Sequence, residues 1–110
     1  MAIKVHASIH AHPGEILRED VLPGLRRPKA EIARLLGVSR QTLYDILNGQ
    51  KPVTAQMALR LAKMLGGSPN LWLNLQQNYD IAVLGPAMAD ELATIPTLTS
   101  DPARRQLADA

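Results

Sequence analysis

Arg40, Gln41, Tyr44, Asp45 and Asn48 recur at a spacing that puts them on one side of a helix, away from Leu43, Ile46 and Leu47. These residue types suit the edges of bases in DNA. An arginine can pair with guanine and a glutamine with adenine through two hydrogen bonds each, and an acid can accept from a cytosine amino group.

A helix that reads bases must be held at a fixed angle, and the preceding residues are suited to doing so. In KAEIARLLGVSRQTLYDILNG, Lys29 to Gly49, the apolar residues Ile32, Leu35 and Leu36 predict one side of a first helix. Gly37 can take the left-handed conformation that ends a helix sharply. Val38 can plug the angle between the two helices, Ser39 is a good N-cap for the second, and Ala33 is small where they cross. Two short helices joined this way form a helix-turn-helix, whose second helix enters the major groove. A helical hairpin that touches no nucleic acid is the alternative; the combination of these positions favours DNA.

Charge distribution supports this more than total charge, which is only +2. Residues 15–65 carry nine Lys or Arg against five Asp or Glu, a balance of +4, and residues 87–110 carry two against four, a balance of −2. Arg26, Arg27 and Lys29 cluster before the motif, either as a seat for a DNA phosphate or as an ordinary solvated loop.

The remaining chain predicts more helices. Pro13-Gly14-Glu15 opens one that runs to about Val21 and stops at Leu22-Pro23-Gly24. Asn48-Gly49-Gln50-Lys51-Pro52 reads as a turn. Thr54 caps a helix carrying Ala58, Leu61, Ala62 and Leu65 and ending at Gly66-Gly67. Ser68-Pro69 starts another that ends at Gly85-Pro86. On it Leu71, Trp72, Leu75, Tyr79 and Ala82 make one stripe, and Leu73, Ile81 and Leu84 lie off it. Those surplus apolar positions are covered either by the bundle itself or by a second copy or another partner. A short helix over 87–93 and a fraying end from Thr94 follow.

The expectation is an all-α, five-helix repressor-like bundle with a short C-terminal helix and a flexible tail. Its divisions are a tail over 1–12, a helix-turn-helix domain over 13–84 and a partly disordered extension over 85–110. With no Phe, the core must be built from Leu, Ile, Val, Ala and Met. With no Cys, no disulfide framework or Cys-based zinc site is possible. His6, His10 and His12 lack the further ligands of a metal site, and neither a cofactor site nor a catalytic constellation stands out. No apolar run suggests a signal or membrane span, so the expected location is the cytoplasm.

Several motifs together are similar to the HigA family of antitoxins: His12-Pro13-Gly14-Glu15, the helix-turn-helix, Met57-Ala58-Leu59-Arg60-Leu61, and Trp72-Leu73-Asn74-Leu75-Gln76 followed by Tyr79-Asp80. The resemblance covers roughly residues 12–84. It implies a homodimer that binds a palindromic operator in double-stranded DNA and represses its own operon. It also implies a HigB-like mRNA-cleaving toxin as partner, with no membrane contact. The same likeness implies base contacts from Arg40, Gln41, Thr42, Tyr44 and Asp45, and phosphate contacts from Lys29, Ser39, Asn48, Gly49 and Lys51. Asp45, an acid facing an anionic groove, either reads cytosine, orients Arg40 or Gln41, or weakens contact. A stand-alone repressor without a toxin is the rival within the same fold, and an RNA-binding or purely structural module is the rival outside it. RNA recognition usually relies on exposed aromatics, and Tyr44 is the one outward candidate.

Overall fold

A computed structural model describes residues 11–99, and these form an all-α fold. Helix α1 is one continuous rod built of Pro13–Ile16, a π turn over Leu17–Val21, and Leu22–Leu25. Then come α2, Lys29–Leu36, α3, Arg40–Leu47, α4, Ala55–Leu65, α5, Pro69–Ala87, and α6, Ala89–Ala93. Five helices and a short sixth match the expected architecture. The part of the expected fraying end over 100–110, like most of the expected tail with His6 and His10, lies outside the described residues.

Local chemistry accounts for most of the boundaries. Ser39, Thr54 and Ser68 each accept a hydrogen bond from a backbone N–H in the first turn of the helix they precede. Two proline signals were overridden. Leu22-Pro23-Gly24 does not stop α1. Pro23 has no N–H to give, and its ring crowds the carbonyl one turn back. The chain widens to a π turn there, the Leu22 N–H reaching the Leu17 carbonyl, and continues to Leu25. It stops at Arg26, which adopts the left-handed conformation with φ 53°. Gly85-Pro86 likewise does not end α5, which runs to Ala87. The one N–H that Pro86 lacks falls where the helix is largely exposed, and water can take its place at the carbonyl one turn back.

The core sits between α1, α2, α3, α4 and the first half of α5, with Ile16, Leu43, Leu61 and Trp72 almost wholly buried. A fully buried side chain of this size contributes about 1.5–3 kcal/mol. Leu35 departs from expectation: Ile32, Ala33 and Leu36 face inward, while Leu35 is 51% exposed. Leu71 is also exposed, and the buried stripe of α5 is Trp72, Leu75 and Gln76. In α4, Met57 joins Ala58 and Leu61 in the core, and Leu65 is only half-buried. Ala11 and His12, assigned above to the tail, are buried against the bundle, so the folded unit begins before Pro13. Beyond Asp80 the picture reverses. Ile81, Val83, Leu84, Leu92, Ile95 and Leu98 are all exposed.

Candidate nucleic-acid interface

The turn between α2 and α3 is built as the sequence predicts. Gly37 has φ 76°, and the Val38 N–H reaches back to the Ala33 carbonyl at 3.0 Å. Val38 packs half-buried against the core beneath the turn. A contact no local pattern signals completes the joint. Arg60 on α4 donates from Nη1 to the Leu36 carbonyl at 2.8 Å, satisfying an acceptor at the end of α2. A side chain at Gly37 would collide with that guanidinium, its Cβ lying 2.7 Å from Nη1.

Helix α3 presents Arg40, Gln41 and Tyr44 to solvent, with Thr42 and Asp45 half-buried beside them. Ser39 and Thr42 are joined to one another: the Ser39 hydroxyl accepts from the Thr42 N–H at 3.0 Å and donates to Oγ1 at 2.9 Å. Asp45 is turned inward. Its Oδ1 accepts from Gln41 Nε2 at 2.8 Å, and its Oδ2 lies 3.5 Å from Lys51 Nζ. The Asp45 carbonyl also accepts the N–H groups of Gln50 and Lys51. Of the roles open to this acid, the geometry gives orientation, of Gln41 and Lys51 rather than Arg40. One carboxylate thus fixes a side chain suited to a base and a cation suited to a phosphate.

The far end of α3 is held by α1. The first turn of α1 approaches so closely that a Cβ on Gly14 would lie 1.7 Å from the Ile46 carbonyl oxygen. Arg18 donates from Nη1 to the Leu47 carbonyl at 3.2 Å, closing the end of the helix. His12 caps α1, its Nδ1 accepting from the Gly14 N–H at 2.9 Å, and its ring stands edge-on to Tyr79 at 5.0 Å. Burial holds the His12 pKa below its usual value, although Asp80, a hydrogen bond with the Lys51 backbone, and Glu15 pull the other way. A neutral ring is what an acceptor at Nδ1 requires. Gln76, buried on α5, accepts the Val53 N–H at 2.8 Å and donates to Asp80 Oδ1 at 2.9 Å, fixing the chain between α3 and α4.

The residues named for phosphate flank this face. Lys29 opens α2, and Asn48, Gly49 and Lys51 form the turn after α3, with Gly49 at φ 74°; all are exposed. Ser39 is exposed as well but spends its hydroxyl on the cap. Arg18, Arg60, Gln76 and His12 escaped the sequence reading as positioning groups. The first three bridge 29, 24 and 23 residues, and no periodicity reports such a bond. The HPGE and WLxLQ motifs were the available signal: they contain His12, Gly14 and Gln76.

Residues 23–72 match the helix-turn-helix family model. The chain is 41% identical over 70 residues to virulence-associated protein I of Dichelobacter nodosus, covering 64% of this chain and 65% of that protein, a little under two-thirds of its length. Among solved structures, the antitoxin GraA superposes with a TM-score of 0.75 at 39% identity, over 81% of this chain and 97% of the other. The Pseudomonas aeruginosa antitoxin HigA, solved with the higBA promoter, gives a TM-score of 0.75 at 36% identity, over 82% and 99%.

Proposed function

Because the chain belongs to the HigA-type family of helix-turn-helix proteins, we propose that it is the antitoxin of a type II toxin–antitoxin module. In this reading a homodimer binds a palindromic operator in double-stranded DNA, represses its own operon in the cytoplasm and neutralises a HigB-like mRNA-cleaving toxin. The observation that carries the DNA half is the outer face of α3. Arg40, Gln41 and Tyr44 stand exposed on a helix whose two ends are tied down by Ser39 and Arg18. Preorganised side chains of these types can make bidentate base contacts without first losing much freedom.

Arg40 and Gln41 are the base readers in this scheme, with Thr42, Tyr44 and Asp45 completing or orienting the set. Lys29 and the turn from Asn48 to Lys51 hold phosphates. Dimerisation would be served by the exposed apolar positions beyond Asp80, which one chain leaves uncovered. Toxin binding would use acids away from α3: Glu15, Glu19 and Asp20 on α1, or Asp90 and Glu91 on α6.

The deciding experiment is a gel-shift titration on the chain's own promoter. Arg40→Ala or Gln41→Ala should each cost about 1–3 kcal/mol on the cognate site and much less on unrelated DNA. Unchanged operator affinity in both variants would discard the α3 assignment. Co-purification of a small basic protein encoded beside this chain tests the antitoxin half; its absence would leave a stand-alone repressor.

A further inference from the structure

Between the end of α1 and the start of α2 lies an open recess of ≈ 360 Å³, lined by Arg18, Leu22, Pro23, Arg26, Arg27 and Lys29. Four of these six residues are cations, and the recess contains no acid. Arg18 and Arg27 have carboxylates nearby, Glu19 at 3.1 Å and Glu31 at 2.6 Å, supplied from outside the recess lining. Among the described residues, Arg26 and Lys29 form no ion pair. Like charges gathered around a concavity raise the local potential and draw in an anion.

Arg26 adds a second observation. It is the sole non-glycine residue at positive φ among the described residues, and it sits where a helix ends. Glycine takes that conformation without steric cost, and an arginine does not. The chain therefore holds a guanidinium at this position against its local backbone preference. Arg18 adds a third. Arg18, one of the residues that wall the recess, also closes the end of α3 through its bond to the Leu47 carbonyl, so the recess adjoins a residue that holds the reading helix.

We propose that this recess is a phosphate-binding site formed by Arg18, Arg26 and Lys29. The phosphate comes either from the DNA backbone beside the operator-reading face or from a free polyphosphate. Guanidinium forks match phosphate oxygens in pairs, and the lysine supplies a point charge. The DNA source rests on the operator-binding reading above; the free source does not.

Arg26→Gly tests the site cleanly, because glycine suits φ 53° and removes only the side chain. Its melting temperature should be equal to or above that of the parent chain. If the phosphate belongs to DNA, affinity should fall on all sequences alike and the log–log salt slope should shrink by about 0.9, roughly an eight-fold loss at 0.1 M salt. If it is free, pyrophosphate titrated into the full chain without DNA should shift the amide resonances of Arg18, Arg26 and Lys29. Those shifts should disappear in Arg26→Gly while operator binding is unchanged. Arg26→Asn, which also tolerates the left-handed conformation, provides the same readouts should the glycine variant lose stability. Parent-like salt slopes in both variants together with no pyrophosphate response would overturn the site. If the parent chain binds no promoter DNA, the operator reading fails on its own and the pyrophosphate titration alone decides the recess.

Discussion

The bundle from Ala11 to Asp80 and the arm from Ile81 to Thr99 are made from similar residues and put to opposite uses. In the bundle, Leu, Ile, Val and Trp disappear from solvent, and a buried polar side chain such as Gln76 finds hydrogen-bond partners. In the arm, Ile81, Leu84, Leu92 and Ile95 stay half to two-thirds exposed, and no buried residue occurs. The arm's Ile and Leu do not lack burial through poor composition; they lack a second surface. Hydrophobicity alone therefore does not say which residues stabilise the single chain. Position relative to the other helices decides it.

Substitutions can break or sharpen this contrast. The largest expected effect is Trp72→Ala, which should destabilise the bundle by about 3–5 kcal/mol in urea or guanidinium unfolding. A loss below about 1 kcal/mol would mean that the core is not organised around this ring. Next comes Gly14→Ala. In an open helix this change would gain up to about 1 kcal/mol. Here the added carbon meets the Ile46 backbone, and overpacking against backbone should dominate, for a net loss of about 2 kcal/mol. A stabilised variant would show that α1 does not press on α3 as described.

The arm should behave differently. Ile81→Ser combined with Leu84→Ser should change the unfolding free energy of the isolated chain by no more than about 0.5 kcal/mol per site. The same pair should shift light scattering at tens of micromolar from dimer towards monomer. Unfolding of the variant would erase the distinction between the two regions; an unchanged dimer would move the interface elsewhere.

The smallest effect concerns pH. His12 is held below its ordinary value of 6.5 in the folded chain, chiefly by burial. Between the lowered value and 6.5 the unfolded chain binds more protons, so stability is full above pH 6.5 and falls on the acid side. His12→Asn, which keeps a capping acceptor but does not titrate there, should flatten that part of the curve. An identical slope in both proteins would remove His12 from the account.

What was legible in the chain follows the same division. Ser39, Thr54, Ser68 and Gly37 act on neighbours within five residues, and each did in the fold what its type announces. The exposure of Arg40, Gln41 and Tyr44 on α3 and of Asn48 at its C-cap followed from periodicity, and Asp45 alone of that set turns inward. Local rules failed where the backbone had another way out: a π turn takes up Pro23, Pro86 lies one residue from an exposed helix end, and Leu35 shares the period of the buried face without being covered. The bonds from Arg18, Arg60 and Gln76 were invisible because their partners are far along the chain. The sequence leaves three roles open for Asp45, and its contacts with Gln41 and Lys51 select orientation among them.

The π turn over Leu17–Val21 also sets the phase of everything that follows it. A helix that advances about 100° per residue is rephased by one extra member. Removing one residue there, with Pro23 replaced so that the regular ladder can close, would straighten the rod and swing everything after it, Arg26 included, by over a quarter of a turn. Relatives that differ by one residue in this stretch should therefore differ in how α1 delivers the chain to α2, even where their reading helices are identical. A length change far from any base would then be inherited as a change in how the protein sits on DNA.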